Sequence, residues 1–166
     1  MDNQNTKVFP QRKRTRLKNF DYSTNGMYFV TICTKEKQKI LSKIVGGDAH
    51  IAPSCELTYY GKVVDKYINS INNVYKNISV ENYVIMPNHI HMLIMIDGTM
   101  WASSPTTISD IVRSVKTLTT KQIGKPIFQR SFFDHIIRDQ TDYENVYNYI
   151  DSNPSKWESD ELYIKD

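Results

Sequence analysis

The chain has 166 residues and a formal net charge of +3, from 21 lysines and arginines against 18 aspartates and glutamates. That length suits one domain with a single core and is short for two. No run of about 18 apolar residues is free of charge, which argues against a membrane span, and the basic start MDNQNTKVFPQRKRTRLK lacks the apolar segment of a secretory signal.

Residues 1–25 read as a polar arm ending in the turn sequence STNG. Between Lys7 and Lys18 lie Lys7, Arg12, Lys13, Arg14, Arg16 and Lys18 with no acid among them. Clustered positive charge within a nearly balanced total suits a phosphate-backbone footprint, and equally a solvated tail. Residues 26–35, GMYFVTICTK, are β-branched and aromatic, which predicts a strand. Cys33 and Cys55 lack Cys-x-x-Cys spacing and read as buried thiols of a cytoplasmic protein. Residues 42–54 predict a loop or a weak hairpin. Apolar positions Val63, Val64, Tyr67, Ile68, Ile71, Val74 and Tyr75 recur with a helical period and predict a helix within 57–78. VENYVIMP and HIHMLIMI are extended runs split by Pro87-Asn88, turn chemistry that predicts a hairpin or one bent strand. After the loop TMWASSPTT, Thr106 or Thr107 caps a helix over 108–123 that stops at Gly124-Lys125-Pro126. A second basic group, Arg113, Lys116, Lys121, Lys125 and Arg130, lies in and after it. SFFDHIIR predicts a further strand, and a last helix runs from about Gln140 to near Asn153, because Pro154 disfavours α geometry in the residue before it.

Strand, helix, strand, strand, helix, strand and an appended helix predict an α+β, ferredoxin-like (split βαβ) antiparallel sheet with helices on one face. The domain reading is a basic arm over 1–25, one domain over 26–157 and a short polar tail over 158–166. Such a fold hosts many functions and selects none.

Strand side chains alternate, so His89 and His91 share one face while Ile90 and Met92 share the other. Their Cβ atoms then lie roughly 6–7 Å apart, a spacing at which two imidazoles can hold one divalent cation if further ligands complete the shell. The last helix offers two candidate pairs, each four residues apart on one face: Tyr149 with Asn153, and Tyr147 with Asp151. Helical tyrosines also serve as core residues with a polar tip.

Three segments carry a resemblance: RLKNFDYSTNGMYFVTICT, MPNHIHMLI and FQRSFFDHIIRDQTDYENVYNYIDSNPSKW. Together they resemble the REP-associated tyrosine transposases, single-tyrosine members of the HUH (His-hydrophobic-His) class of single-strand DNA nucleases. The likeness spans residues 14–157. It implies that His89 and His91 ligate a catalytic Mg2+ or Mn2+, that Tyr149 is the nucleophile on the C-terminal helix, and that Asn153 is the third ligand. His135 matches a family position near the site, and Arg138 is a candidate phosphate contact. The implied substrate is single-stranded DNA beside a short imperfect hairpin, cleaved and rejoined through a 5′-phosphotyrosine. On that reading Arg12, Lys13, Arg14, Arg16 and Lys18 read the foot of the hairpin, and Arg113, Lys116 and Arg130 bind DNA. Tyr28, Phe29, Tyr83, Trp101, Phe132 and Phe133 are candidate stacking groups. The chain has no Walker-type glycine loop, so no nucleotide cofactor is expected, and the location is cytoplasmic and nucleoid-associated. Monomer and homodimer both stay open. Two rivals remain: a hairpin-binding protein without turnover, and a histidine-metal hydrolase of small molecules.

Overall fold

The computed structural model describes residues 25–48, 51–97 and 106–165. The arm residues Arg12, Lys13, Arg14, Arg16 and Lys18, and Trp101, lie outside them. In chain order the elements are β1 (Gly26–Cys33), β2 (Ser42–Val45), β3 (Ser54–Leu57), α1 (Tyr59–Val74), β4 (Ile78–Ile85), β5 (His89–Ile96), α2 (Ile108–Ile123), β6 (Phe133–Ile137) and α3 (Gln140–Ser152), followed by a 3-10 turn over Pro154–Ser159. Four strands make one antiparallel sheet in the order β4-β5-β1-β6, and β2 and β3 pair separately as a hairpin. The expected split βαβ arrangement is present, and the 42–54 region resolves to its hairpin alternative.

The alternation of the strands builds two layers. Tyr28, Val30, Ile32, Ile90, Met92 and Ile94 point to one face, where α1 contributes Val64, Ile68 and Ile71 and α2 contributes Ile108, Ile111 and Val115. Burying each such side chain is worth about 1.5–3 kcal/mol, so this layer carries most of the stability. The opposite face holds Phe29 and Leu93 under Ile150 of α3, with Val84, Ile137, Tyr143, Val146 and Tyr147 at its edge. The helices predicted on one face are therefore α1 and α2, while the appended helix covers the other.

Local chemistry sets the helix ends. Thr107 caps α2 and forms a reciprocal capping box with Asp110, and Gly124 closes the helix at φ 84°, a left-handed geometry that glycine adopts without steric cost. Asp139 caps α3 through the Asp142 N–H. At the other end Asn153 departs from expectation. It keeps α geometry (φ −59°, ψ −41°) although proline follows, because the chain continues into the 3-10 turn, where Pro154 takes the first position and needs no N–H partner.

β4 contains a bulge between Val80 and Asn82. Ile78 and Val80 face the α1/α2 layer, whereas beyond the surplus residue Asn82 and Val84 face α3. Asn82 Nδ2 there donates to Asp151 Oδ1 at 2.8 Å, tethering the end of α3 to the sheet.

Gly61, in the first turn of α1, sits against the carbonyl of Leu41, which also accepts the backbone N–H and the hydroxyl of Thr58. A Cβ at Gly61 would lie 2.1 Å from that oxygen. Gly61→Ala is expected to destabilise the fold by at least about 2 kcal/mol, read as a lower urea midpoint with unchanged slope. An unshifted midpoint would mean that the 34–41 segment yields freely.

Candidate active site

The α3 face of the central strands carries the polar groups. In register, Cys33 of β1 lies opposite His89 of β5, and Thr31 lies opposite His91. Both imidazoles are buried, at 0% and 2% exposure, so they do not sit on a solvent-facing strand surface. Their rings lie 4.4 Å apart between centroids, with Trp157 beside His89 and Phe29 stacked on His91.

Each ring has its Nδ1 held by a neighbour. Asn88 donates through Nδ2 to the Leu162 carbonyl at 2.8 Å, which leaves its Oδ1 facing His89 Nδ1 at 2.7 Å. His89 Nδ1 must then carry the hydrogen, and Nε2 is a bare lone pair with no hydrogen-bond partner. Thr31 Oγ1 holds His91 Nδ1 at 2.9 Å, and His91 Nε2 lies 3.4 Å from the Tyr149 hydroxyl. Asn153 is 1% exposed, and its Oδ1 is likewise buried without a partner. Its Nδ2 donates to Asp160 Oδ2 at 3.1 Å. Tyr149 also donates to Asp160 Oδ2, at 3.2 Å.

Ligating atoms of His89, His91 and Asp160 fall within 4.8 Å of one another, so one cation can be shared among them. Two orphaned lone pairs beside a carboxylate are costly without a cation or a donor, so the donor set fits a divalent metal. Orienting the rear nitrogens through Asn88 and Thr31 is the usual support for metal-binding histidines.

Burial also sets the protonation states. It lowers His89 to about 4, against opposition from the Asp160 charge, and holds His91 well below its ordinary value, with His89 adding to the effect. Both rings are therefore neutral at pH 7, the form that ligates. The Tyr149 phenol is pushed up to about 12, first by burial and then by the charge and hydrogen bond of Asp160, with an Asn153 hydrogen bond working the other way.

The residues expected at the site divide clearly. His89, His91, Tyr149 and Asn153 come together. Tyr147 packs beside Tyr143 in the apolar edge of α3, and Asp151 is engaged by Asn82, so the alternative pair does not reach the imidazoles. His135 instead pairs with Asp142 at 2.9 Å near the start of α3, and Asp142 also accepts the Arg138 N–H. Lys116 directs its ammonium to the carbonyls of Gln129 and Ser131, at 2.8 and 3.0 Å, and burial lowers it to about 8. Arg113 lies 3.3 Å from Asp110 at the surface, and Arg130 is exposed. Of the candidate stacking groups, Tyr28 is in the core, and Tyr83 hydrogen-bonds Asp65 and Asn69. Asp160 went unforeseen. It lies in the segment read as a polar tail and arrives because the 3-10 turn folds back, held by Asn88 on Leu162 and by Trp157 under Tyr163. The only signal in sequence is one acid among several in ESDEL.

A split βαβ sheet with a His-hydrophobic-His strand beneath a helical tyrosine is the arrangement that the resemblance to the single-tyrosine HUH nucleases implies. No family model matches the chain. A protein of Haemophilus influenzae, itself uncharacterized, is 32% identical over 174 aligned positions, covering 92% of this chain and 93% of that protein. A second from the same organism, whose provisional name is REP-associated tyrosine transposase, is 25% identical over 158 positions, covering 82% of this chain and 74% of its own length. In fold, the chain is similar to the solved structure of a REP-associated tyrosine transposase bound to a REP hairpin. That match has a TM-score of 0.63 at 21% identity, over 86% of this chain and 74% of the other. The resemblance to the REP-associated tyrosine transposases is thus met again in a curated relative and, as a fold, in a solved structure. Among the described residues no helix is long and apolar enough to cross a membrane.

Proposed function

We propose that this protein is a divalent-metal-dependent transferase of single-stranded DNA that cleaves and rejoins strands beside hairpin elements. The observation that carries the reading is the convergence of the Tyr149 hydroxyl on His91 Nε2, 3.4 Å away, in a pocket with the unpartnered His89 Nε2 and Asn153 Oδ1. A small-molecule hydrolase would have no need of a half-exposed phenol in that position.

His89 and His91, with the buried Asn153 Oδ1, would hold the ion, and the Asp160 carboxylate lies within reach of the two imidazoles. A divalent ion such as Mg2+ or Mn2+ bound there would supply Lewis acidity to the scissile phosphate and favour the phenolate. Imidazole and amide ligands are soft for Mg2+, which favours Mn2+. Tyr149 Oη attacks phosphorus, so that an O–P bond to the phenol forms as the bond to the 3′ oxygen breaks, leaving a 5′-phosphotyrosine and a 3′-hydroxyl. Asp160 Oδ2, already the acceptor of the phenol hydrogen, takes the proton, which ends on the departing 3′ oxygen. A second 3′-hydroxyl reverses the step on a new strand, and no nucleotide is consumed. The arm residues Arg12, Lys13, Arg14, Arg16 and Lys18 grip the hairpin foot, while exposed Arg113 and Arg130 add phosphate contacts. His135 and Arg138 act by fixing the start of α3, which carries the nucleophile.

Incubating the full chain with end-labelled hairpin DNA carrying single-stranded flanks, with Mn2+ and with EDTA, tests the proposal. A covalent protein–DNA band that requires Mn2+ is expected. Binding without any adduct would instead identify a hairpin-binding protein that has lost turnover.

A further inference from the structure

A cavity of about 420 Å3 adjoins the tyrosine and is not used by the chemistry above. It opens on the α3 face of β1 and β6, and Tyr149 and Asp160 form the wall it shares with the ion site. Resting on the function just proposed, we infer that this cavity is the subsite for the unpaired nucleobase next to the scissile phosphate, stacked on Phe133.

The lining argues for a base over a phosphate. Phe29 and Phe132 give flat apolar surface, and Phe133 is 51% exposed, large for a phenylalanine in a strand that pairs with the core of the sheet. The anionic groups on the rim, Asp160 and Glu161, disfavour a phosphate, and the Glu161 carboxylate can accept a hydrogen bond from the N–H edge of a heterocycle. Gln129 and Ser131 add polar side chains to the lining. A neutral ring with N–H donors on its edge suits such a lining. The volume lies within the roughly 300–1,000 Å3 typical of small-ligand sites.

Register argues for the flanking nucleotide. Phe133 lies opposite Thr31, and Thr31 lies opposite His91, so the ring stands two strands from the imidazole. Two strand spacings are about 10 Å, the reach from a phosphate to its own base. Lys116 supports the platform by fixing the carbonyls of Gln129 and Ser131, with its ammonium 5.8 Å from the Phe132 ring.

The test uses the full chain as Tyr149→Phe with Mn2+, which binds without turnover. The probe is a hairpin with a single-stranded oligothymidine tail carrying one 5-iodouracil at successive positions. After irradiation, one tail position is expected to crosslink to the peptide spanning 129–133. Phe133→Leu should cut that yield roughly tenfold, the scale of one lost base–aromatic stack, while affinity for the same hairpin lacking the tail, by fluorescence anisotropy, stays within about twofold. Crosslinks elsewhere, or a yield unchanged in Phe133→Leu, would overturn the subsite. If the wild-type chain still forms its Tyr149 adduct, that failure belongs to the subsite alone. Absence of the adduct as well removes the functional reading and the subsite with it.

Discussion

Tyr149→Phe is expected to abolish covalent attachment to DNA, by at least ~1,000-fold, because among the described residues Tyr149 is the tyrosine whose hydroxyl meets an imidazole. The substitution removes one hydroxyl that donates to Asp160 at 3.2 Å and approaches His91 at 3.4 Å. A single such hydrogen bond contributes about 1 kcal/mol, so the variant should fold and bind hairpin DNA normally. Tyr147→Phe supplies the contrast. Its ring belongs to the apolar seam of α3 and its hydroxyl is not directed at the site, so the adduct should persist within about threefold of wild type. The measurement is a denaturing gel of labelled DNA with Mn2+. An adduct that survives Tyr149→Phe, or disappears with Tyr147→Phe, would move the nucleophile.

Acid should unfold the metal-free chain more readily than burial of apolar surface alone would allow. His89 titrates near 4 in the folded protein against 6.5 when exposed, because burial penalises its charge. Between those values the unfolded chain binds the extra proton, so stability is complete above pH 6.5 and falls as the pH drops. From pH 7.5 to pH 5 the loss from His89 is about 2 kcal/mol, with His91 acting in the same direction. The lowered carboxyl groups of Asp110 and Asp142 titrate below this window and do not offset it. Urea melts in EDTA at the two pH values measure the effect. Mn2+ should raise the midpoint at pH 7.5 and do so less at pH 5, where protons compete for the same nitrogens. Equal stability at both pH values in EDTA would show that the imidazoles are hydrated rather than buried.

The elements with strong local chemistry were legible in the sequence. Thr107 with Asp110, and Gly124, mark both ends of α2, and the β-branched run after Gly26 reads as β1 because nothing else suits it. The facing of His89 and His91 follows from strand parity, and Tyr149 with Asn153 was one of two pairs that helix periodicity left equal. Packing separates them: Ile150 is buried against Phe29 and Leu93, which turns Tyr149 toward β5 and leaves Asp151 to Asn82. Asp160 was beyond local reasoning, since its place depends on a 3-10 turn and on Asn88 reaching Leu162 across 74 positions. Lys116 shows a different limit. A lysine on a helix reads as a surface cation, yet this one lies partly buried and serves backbone carbonyls, a fate set by where the loop before β6 passes.

The surplus residue in β4 has a consequence for how the two layers change over time. Since the strand changes phase at Glu81, Ile78 and Val80 before it and Tyr83 and Ile85 after it face the helix-packed core, while Asn82 and Val84 face the tyrosine helix. Substitutions at Asn82 or Val84 can retune the seating of α3 without disturbing the pattern that Ile78 and Val80 maintain. The bulge thus works like a splice between two independently heritable surfaces, letting reactivity drift while the scaffold stays put.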